Sequence, residues 1–394
     1  MAGEAMKRWN LVALLSATAT ASYLSRVNVS VAGVMMRDEF GLSQEALGAL
    51  FSAFTFSYAL CQIPGGMLAD RFGAKRVLAT AALCWVACTG VLAAARSTFA
   101  IIVGRLMLGV FEAPTFPAAG QAVGRWLPAP LHGRANGFVI AAVGLGSAIA
   151  PALITSVMVP YGWRIALLVS AIPPLVLSFL WMRFRTPPEE EAVTKAAGHG
   201  SMKSLSFILL TVSYTLQGYV GYIFVFWFYT YLVDVRHFDL MRSALLSSLP
   251  WLMSIVSIPA GGAASDWLVK RYGLNRGRRI IPMAGFVLSA VFLSIGAHTS
   301  NPYVAAVSLA FATAFVLSVE GAFWATMSEL AGANSGAAGG VMNMGSNVGG
   351  FISPALTPIL ATAFGWENAL HAASAVSIVA GVLWVAIDAS EKPC

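Results

Sequence analysis

Two charged residues lie inside an apolar stretch that is long enough to cross a bilayer. The stretch runs from Phe99 to Val123 and contains Arg105 and Glu112. About 20 apolar residues span a hydrocarbon core of roughly 30 Å, and a charge near its middle costs on the order of 3 kcal/mol. Seven residues are two helical turns, about 10 Å, so the two side chains share a helix face but are too far apart for an ideal ion pair. A fixed cation and a titratable acid on one face suit the binding of an anion and a proton.

Arg26 is a second cation inside an apolar stretch. The rise per residue places Arg26 and Arg105 at a similar level in the outer half of the membrane, and Glu112 deeper than both. Two guanidiniums at one level repel each other unless an anion lies between them, and each offers a planar fork to a carboxylate. Burial favours the protonated form of a carboxyl, so Glu112 is the predicted proton carrier and Glu320 the second candidate. Alternatively, either arginine snorkels outward and Glu320 is a hydrogen-bonded acid that links helices.

Composition predicts the elements that must position these residues. Of 394 residues, 58% are hydrophobic and 10% are charged, which indicates an all-α protein of many membrane spans. No spacing typical of a metal site or of a catalytic nucleophile is evident, so we expect no metal, cofactor or catalytic residue, and no enzyme activity. Apolar stretches predict twelve transmembrane helices, at residues 10–36, 45–68, 77–95, 99–123, 135–158, 165–182, 205–233, 241–264, 280–297, 303–327, 337–363 and 369–387.

The basic residues predict the orientation of these spans. One side of the membrane carries 17 Lys and Arg and the other carries five, while Arg26 and Arg105 lie inside spans. The positive-inside rule therefore predicts that both termini are cytoplasmic in a cell (plasma) membrane. A polar stretch rich in Pro, Glu and Gly predicts a cytoplasmic linker at residues 183–204, between bundles of six helices at 1–182 and 205–394.

The two halves of the sequence repeat each other. A Gly-Gly pair followed by Asp70 recurs 196 residues later before Asp266, and the Gly-Trp pair at Trp163 recurs at Trp366. Repeats at a half-chain offset, with an even number of spans in each half, predict two bundles related by an axis along the membrane normal.

The loop Gly66-Met-Leu-Ala-Asp70-Arg71-Phe-Gly73-Ala-Lys75-Arg76 resembles the signature of the major facilitator superfamily. Stretches around Arg26, from Gly104 to Pro117 and from Ala338 to Gly350 resemble its anion:cation symporter family, which includes sialin, the vesicular glutamate transporters and bacterial hexuronate and galactonate transporters. The resemblance implies a fold of two pseudo-symmetric six-helix bundles. It also implies a substrate-anion contact at Arg26 and further cavity contacts at Tyr23, Tyr58, Arg105, Trp324 and Asn343.

The same resemblance implies a gating role for the two repeated loops. Their charged residues are expected to pair at the cytoplasmic helix ends and to hold one conformation closed. The gating residues are Gly66, Asp70, Arg71, Gly73, Arg76, Asp266 and Arg271. Aromatic residues on membrane helices are more often packing residues, and Asn343 with Asn347 could instead join helices.

We therefore expect a monomeric importer of a small mono- or dicarboxylate or sugar acid that works by proton symport and alternating access. It needs no nucleic-acid partner. Ser25 stands where sugar-acid symporters of the family place an acid, and Ala142-Val143-Gly144 stands where they contact sugar hydroxyls, so a second proton site is in doubt and the substrate is expected to carry fewer hydroxyls than an aldonate. The alternative is an organic-anion exchanger or facilitator without proton coupling.

Overall fold

The computed structural model describes residues 2–128, 131–186, 204–332 and 335–391. The chain divides into two compact units, residues 1–194 and 195–394. The first unit contains α1 (Ala2–Phe40), α2 (Gln44–Phe72), α3 (Ala74–Ala94), α4 (Thr98–Glu112), α5 (Thr115–Trp126), α6 (His132–Ser170) and α7 (Ile172–Arg183). The second contains α8 (Leu205–Phe226), α9 (Phe228–Asp234), α10 (Leu240–Tyr272), α11 (Leu274–His298), α12 (Pro302–Ser318), α13 (Glu320–Ala331) and α14 (Ser335–Leu383). Most of the predicted linker, at 187–203, lies outside the described residues.

The twelve predicted spans are confirmed as helical segments. Nine stretches of the described chain are long and apolar enough to cross a membrane, and two of these have 50 and 46 residues. At about 1.5 Å per residue each of the two is long enough for two crossings. Each is interrupted by a non-helical glycine, Gly162 or Gly365, with φ of 82° or 85°. The remaining predicted span lies in α1, whose polar residues lower its hydropathy.

The repeated Gly-Gly pair lets one helix approach a break in another. In the first unit a Cβ on Gly65 would lie 2.8 Å from the Cα of Pro114, at the break between α4 and α5. In the second unit a Cβ on Gly261 would overlap the carbonyl of Ser318, at the break between α12 and α13. Both glycines are needed because any side chain would force the two backbones apart.

The repeated Gly-Trp pair lies at the turn between two helical segments, and its tryptophan contacts a neighbouring helix in each unit. Trp163 Nε1 donates to Glu39 Oε2 at 2.7 Å, and Arg164 donates to both oxygens of Glu39 at 2.7 Å. The hydrogen bond from Arg164 lowers the pKa of Glu39. In the second unit Trp366 packs edge-on against Trp227, with ring centroids 5.8 Å apart.

Candidate anion and proton site

The site in the first unit begins with a close contact between α2 and α4. Gly109 lies against the backbone of α2, where a Cβ would overlap the carbonyl of Phe54 and lie 2.9 Å from the Tyr58 nitrogen. Arg105 is four residues before Gly109, and Glu112 is three residues after it. Residues three and four apart share a helix face, so this contact brings the rings of Phe54 and Tyr58 beside both charged residues.

Glu112 is held by α1. Arg26 Nη2 donates to Glu112 Oε1 at 2.8 Å, and Ser22 Oγ donates to the same oxygen at 2.7 Å. The side chains of Arg26 and Glu112 are 2% and 0% exposed. A buried ion pair stabilises the fold only weakly because desolvation opposes the attraction, but removing one partner strands the other charge. The pair is thus sensitive to any change in the charge of Glu112.

Aromatic rings surround the guanidinium of Arg26. Its central carbon lies 4.5 Å from the ring centroids of Tyr23 and Tyr58 and 5.0 Å from that of Phe54. Such cation–π contacts are worth roughly 0.5–2 kcal/mol each and partly replace the lost hydration of a buried cation. Tyr23 therefore lies beside Arg26, as its position three residues earlier in the sequence led us to expect, and Tyr58 lies beside Arg26 as well.

Arg105 of α4 also contacts this aromatic cluster, but its hydrogen bonding differs from that of Arg26. It is fully buried, and its central carbon lies 4.6 Å from the ring centroid of Phe54. Within the described residues none of its three guanidinium nitrogens has a hydrogen-bond partner. It makes no ion pair with Glu112, as the seven-residue spacing predicted.

The charged groups of Glu112 and Arg26 lie closer together than the predicted difference in depth indicated. The sequence placed Glu112 deeper than Arg26, yet an oxygen of Glu112 lies 2.8 Å from a nitrogen of Arg26. The depth estimate counted backbone rise along separate helices and left out the reach of two long side chains that point towards each other. Glu112 of α4 and Arg26 of α1 thus form a single ion pair and are not two charges held apart.

Glu320 has neutral partners in the second unit. Its carboxylate accepts from Tyr214 at 2.8 Å, Gln217 at 2.9 Å and Trp324 at 3.2 Å. The three donors satisfy both oxygens and join α8 to α13. This arrangement favours the hydrogen-bonded, helix-linking interpretation of Glu320 over a second proton carrier.

Trp324 and Asn343 are the predicted substrate contacts of the second unit. Trp324 lies beside Glu320, and Asn343 lies on α14. Trp324 is 37% exposed, and its ring would meet a Cβ on Gly339 of α14 at 3.0 Å. Asn343 lies one turn after Gly339, and its carbonyl accepts from Asn347 at 2.8 Å. Asn347 also accepts from Tyr222 of α8 at 3.0 Å, so Asn347 joins helices.

In both units the first helix supplies the donors for the glutamate at the break of the fourth span. Ser22 and Arg26 of α1 donate to Glu112, and Tyr214 and Gln217 of α8 donate to Glu320. The two units thus share an architecture, but among the described residues a cation contacts the glutamate of the first unit alone.

The first of the two repeated loops departs from the predicted charge pairs. Asp70 accepts from Gln121 at 2.7 Å, and within the described residues neither it nor Arg71 or Arg76 has an ion pair. This structure therefore does not contain the predicted ion pairs among its described residues, and the side chain that faces Asp70 is a neutral amide. Gly73 does end α2, at φ 82°.

The second unit forms its charge cluster around an arginine that the motif did not indicate. Arg278 donates to Asp266 at 2.6 Å and to Glu329 at 2.7 Å. The predicted Arg271 instead lies over the rings of Trp267 and Tyr272. Gln121 follows Glu112 by nine residues, and Glu329 follows Glu320 by nine residues, so the partner of the loop aspartate or arginine comes from the same position in both units.

Sequence reasoning missed several residues of the site. They are Ser22, Phe54, Tyr214, Gln217, Arg278 and Glu329. Helical spacing offered a signal for two of them, because Ser22 is four residues before Arg26 and Phe54 is four before Tyr58. The others are brought in by neighbouring helices, which no spacing within one span reveals.

A chain of membrane-spanning helices that buries two arginines and a glutamate beside one another has the features of a transporter. Its sequence matches the Major Facilitator Superfamily over residues 15–354, and the chain belongs to that superfamily. It is a multi-pass membrane transporter and not an enzyme.

Named relatives and a solved structure agree with this assignment. The chain is 31% identical to the probable sulfoacetate transporter of Cupriavidus necator, over 84% of this chain and 82% of that protein. It is 28% identical to the hexuronate transporter of Bacillus subtilis, over 85% and 84%. A bacterial homologue of the human lysosomal transporter Spinster has the same fold, with a TM-score of 0.84, 16% identity and 97% coverage of both chains.

Proposed function

We propose that this protein imports a small organic anion together with a proton by alternating access. The buried ion pair between Arg26 and Glu112, at 2.8 Å, carries the proposal. Protonation of Glu112 removes the charge that balances Arg26, and a carboxylate of the substrate then binds the guanidinium fork. Proton binding thereby raises the affinity for the anion, and by linkage the anion raises the affinity for the proton.

The comparisons support an organic anion as the substrate. The relatives are named for sulfoacetate and for hexuronate, both of which are organic anions. Arg26, Arg105, Tyr23 and Tyr58 supply the cationic and aromatic contacts of the proposed site. Trp324 and Asn343 remain predicted contacts of the second unit.

The alternative, an exchanger or facilitator without proton coupling, also has an observation in its favour. Arg26 and Ser22 both donate to Oε1 of Glu112, and two donors stabilise the ionised carboxylate. If Glu112 stays ionised throughout the cycle, the ion pair is permanent and only Arg105 is left to take the anion.

Uptake into proteoliposomes separates the two functions. A thermal-shift screen of carboxylates and sulfonates on the purified protein first identifies a ligand, because only a compound that binds the folded state raises its melting temperature. Labelled ligand is then offered with the membrane potential clamped at zero, with and without an inside-alkaline gradient. We expect several-fold accumulation only with the gradient. Equal final levels in both conditions would leave exchange or facilitation.

We also propose that both termini face the cytoplasm in the plasma membrane. The 17-to-5 distribution of Lys and Arg supports this orientation. A reporter fused after Thr194 is expected to report cytoplasmic, and one fused after Asp239 periplasmic. The opposite pattern would overturn the orientation.

A further inference from the structure

Within the part of the chain that the structure describes, Arg105 is a buried cation that makes no ion pair. Its side chain is 0% exposed, and within the described residues its Nε, Nη1 and Nη2 atoms have no hydrogen-bond partner. Its contact with Phe54 is a cation–π contact, in which the central carbon of the guanidinium lies 4.6 Å from the ring centroid. A buried guanidinium with five unused donors costs several kcal/mol unless an acid group binds it. The donor set thus points to an acid group of a ligand on Arg105.

Arg26 needs a second acid group whenever Glu112 is protonated. With Glu112 ionised, the cluster of Arg26, Arg105 and Glu112 carries one net positive charge, and all of it lies on Arg105. With Glu112 protonated, the cluster carries two, one on each guanidinium. A monovalent anion would then leave one buried cation unbalanced, whereas a divalent anion balances both.

The ring of Phe54 limits the separation of the two guanidiniums. Their central carbons lie 5.0 and 4.6 Å from the same ring centroid, so they are within about 10 Å of each other. A carboxylate bound by both prongs of a guanidinium fork lies roughly 4 Å from its central carbon. At most about 2 Å is then left along the line between the two acid groups, so a bridging ligand must be short.

We propose that the site selects a compact dianion, with one or two carbons between its acidic groups, over a monoanion of similar size. One acid group binds Arg105, and the other replaces Glu112 on Arg26 when Glu112 takes up the proton. The aromatic surroundings of Arg26 favour a ligand with few hydroxyls. The inference rests on the proposed function, because it uses the same protonation of Glu112.

The test compares diacids with monoacids of matched length. Binding of malonate and succinate, and of propionate and butyrate, is measured on the purified full-length protein at about pH 7.5, where the carboxyl groups are ionised. We expect the diacids to bind at least tenfold more tightly. Glu112→Gln keeps the shape of the side chain without its charge and frees Arg26, so it should widen this ratio a further tenfold or more.

Two other variants keep the test specific. Arg105→Gln removes one guanidinium and should bring the ratio of diacid to monoacid affinity close to one. Glu39→Gln breaks a Glu–Arg pair of the same unit away from the site, and it should leave the ratio unchanged. If Arg105→Gln does not fold, the wild type and Glu112→Gln still decide the question.

Equal affinities for diacids and monoacids in the wild type, or a ratio that Glu112→Gln does not widen, would overturn the dianion site. Proton-driven uptake of a monoacid would then still support the proposed function. Conversely, tight binding of diacids that is widened by Glu112→Gln, without any accumulation under a proton gradient, would contradict proton symport but support the dianion site.

Discussion

Replacing Arg26 by alanine is expected to lower anion uptake about 100-fold or more, because the substrate loses the guanidinium that it binds in place of Glu112. Arg26→Lys should rescue little of this activity, since a lysine keeps the charge but not the planar fork or its contacts with Tyr23 and Tyr58. Uptake of labelled ligand into proteoliposomes, normalised to reconstituted protein, measures both effects.

Loss of folding is the obvious other cause of inactivity, and a second substitution separates the two. Arg26→Ala leaves Glu112 buried with Ser22 as its remaining donor, which destabilises the ionised carboxylate. The double variant with Glu112→Gln removes that charge, and it should recover the melting temperature without recovering uptake. Uptake by Arg26→Ala within a few-fold of the wild type would contradict the assignment of Arg26 as the anion contact.

Glu112→Gln is expected to separate exchange from accumulation. The amide is nearly isosteric with the protonated carboxyl, so the variant resembles the proton-loaded carrier permanently. Exchange requires only that the loaded carrier moves between its two orientations, and counterflow should therefore stay within a few-fold of the wild type. Accumulation requires the proton to leave on the inside so that the empty carrier can return, and a permanently neutral side chain cannot release one.

The measurement is paired counterflow and gradient-driven uptake, each at zero and at inside-negative membrane potential. Glu39→Gln serves as the control, because it also removes a carboxyl from an ion pair of the first unit, with Arg164. Undiminished accumulation by Glu112→Gln would exclude Glu112 as the obligatory proton carrier and direct attention to Glu320. With one proton carried, a dianion brings net negative charge inward, so an inside-negative potential should slow its uptake.

The sequence predicted the helices well because a bilayer leaves few alternatives. Within the hydrocarbon core every backbone group must bond inside its own helix, so apolar length is close to sufficient evidence for a span. The repeat between the two halves of the sequence corresponds to a shared structural feature, since Gly65 and Gly261 make equivalent close helix contacts in their units.

The chemistry around each charge was harder to predict because its partners lie on other helices. The pattern identified Arg26 and Glu112 as isolated charges, but their ion pair depends on how α1 lies against α4. Likewise, no spacing in the sequence indicates that Tyr214 and Gln217 of α8 donate to Glu320. Arg278 was missed because it lies five residues after Gly273, beyond the repeated loop motif.

The unequal partners of Glu112 and Glu320 imply a division of labour between duplicated halves. A charge-charge contact changes by the whole electrostatic interaction when its acid gains a proton, whereas hydrogen bonds from a phenol, an amide and an indole change much less. Under the proposed function, the half with the arginine is the one whose ion pair changes on protonation, and the neutral donors of Glu320 serve to join helices. A duplicated protein can in this way gain a single titrating switch by changing the donors on one helix, without any change in the path of its chain.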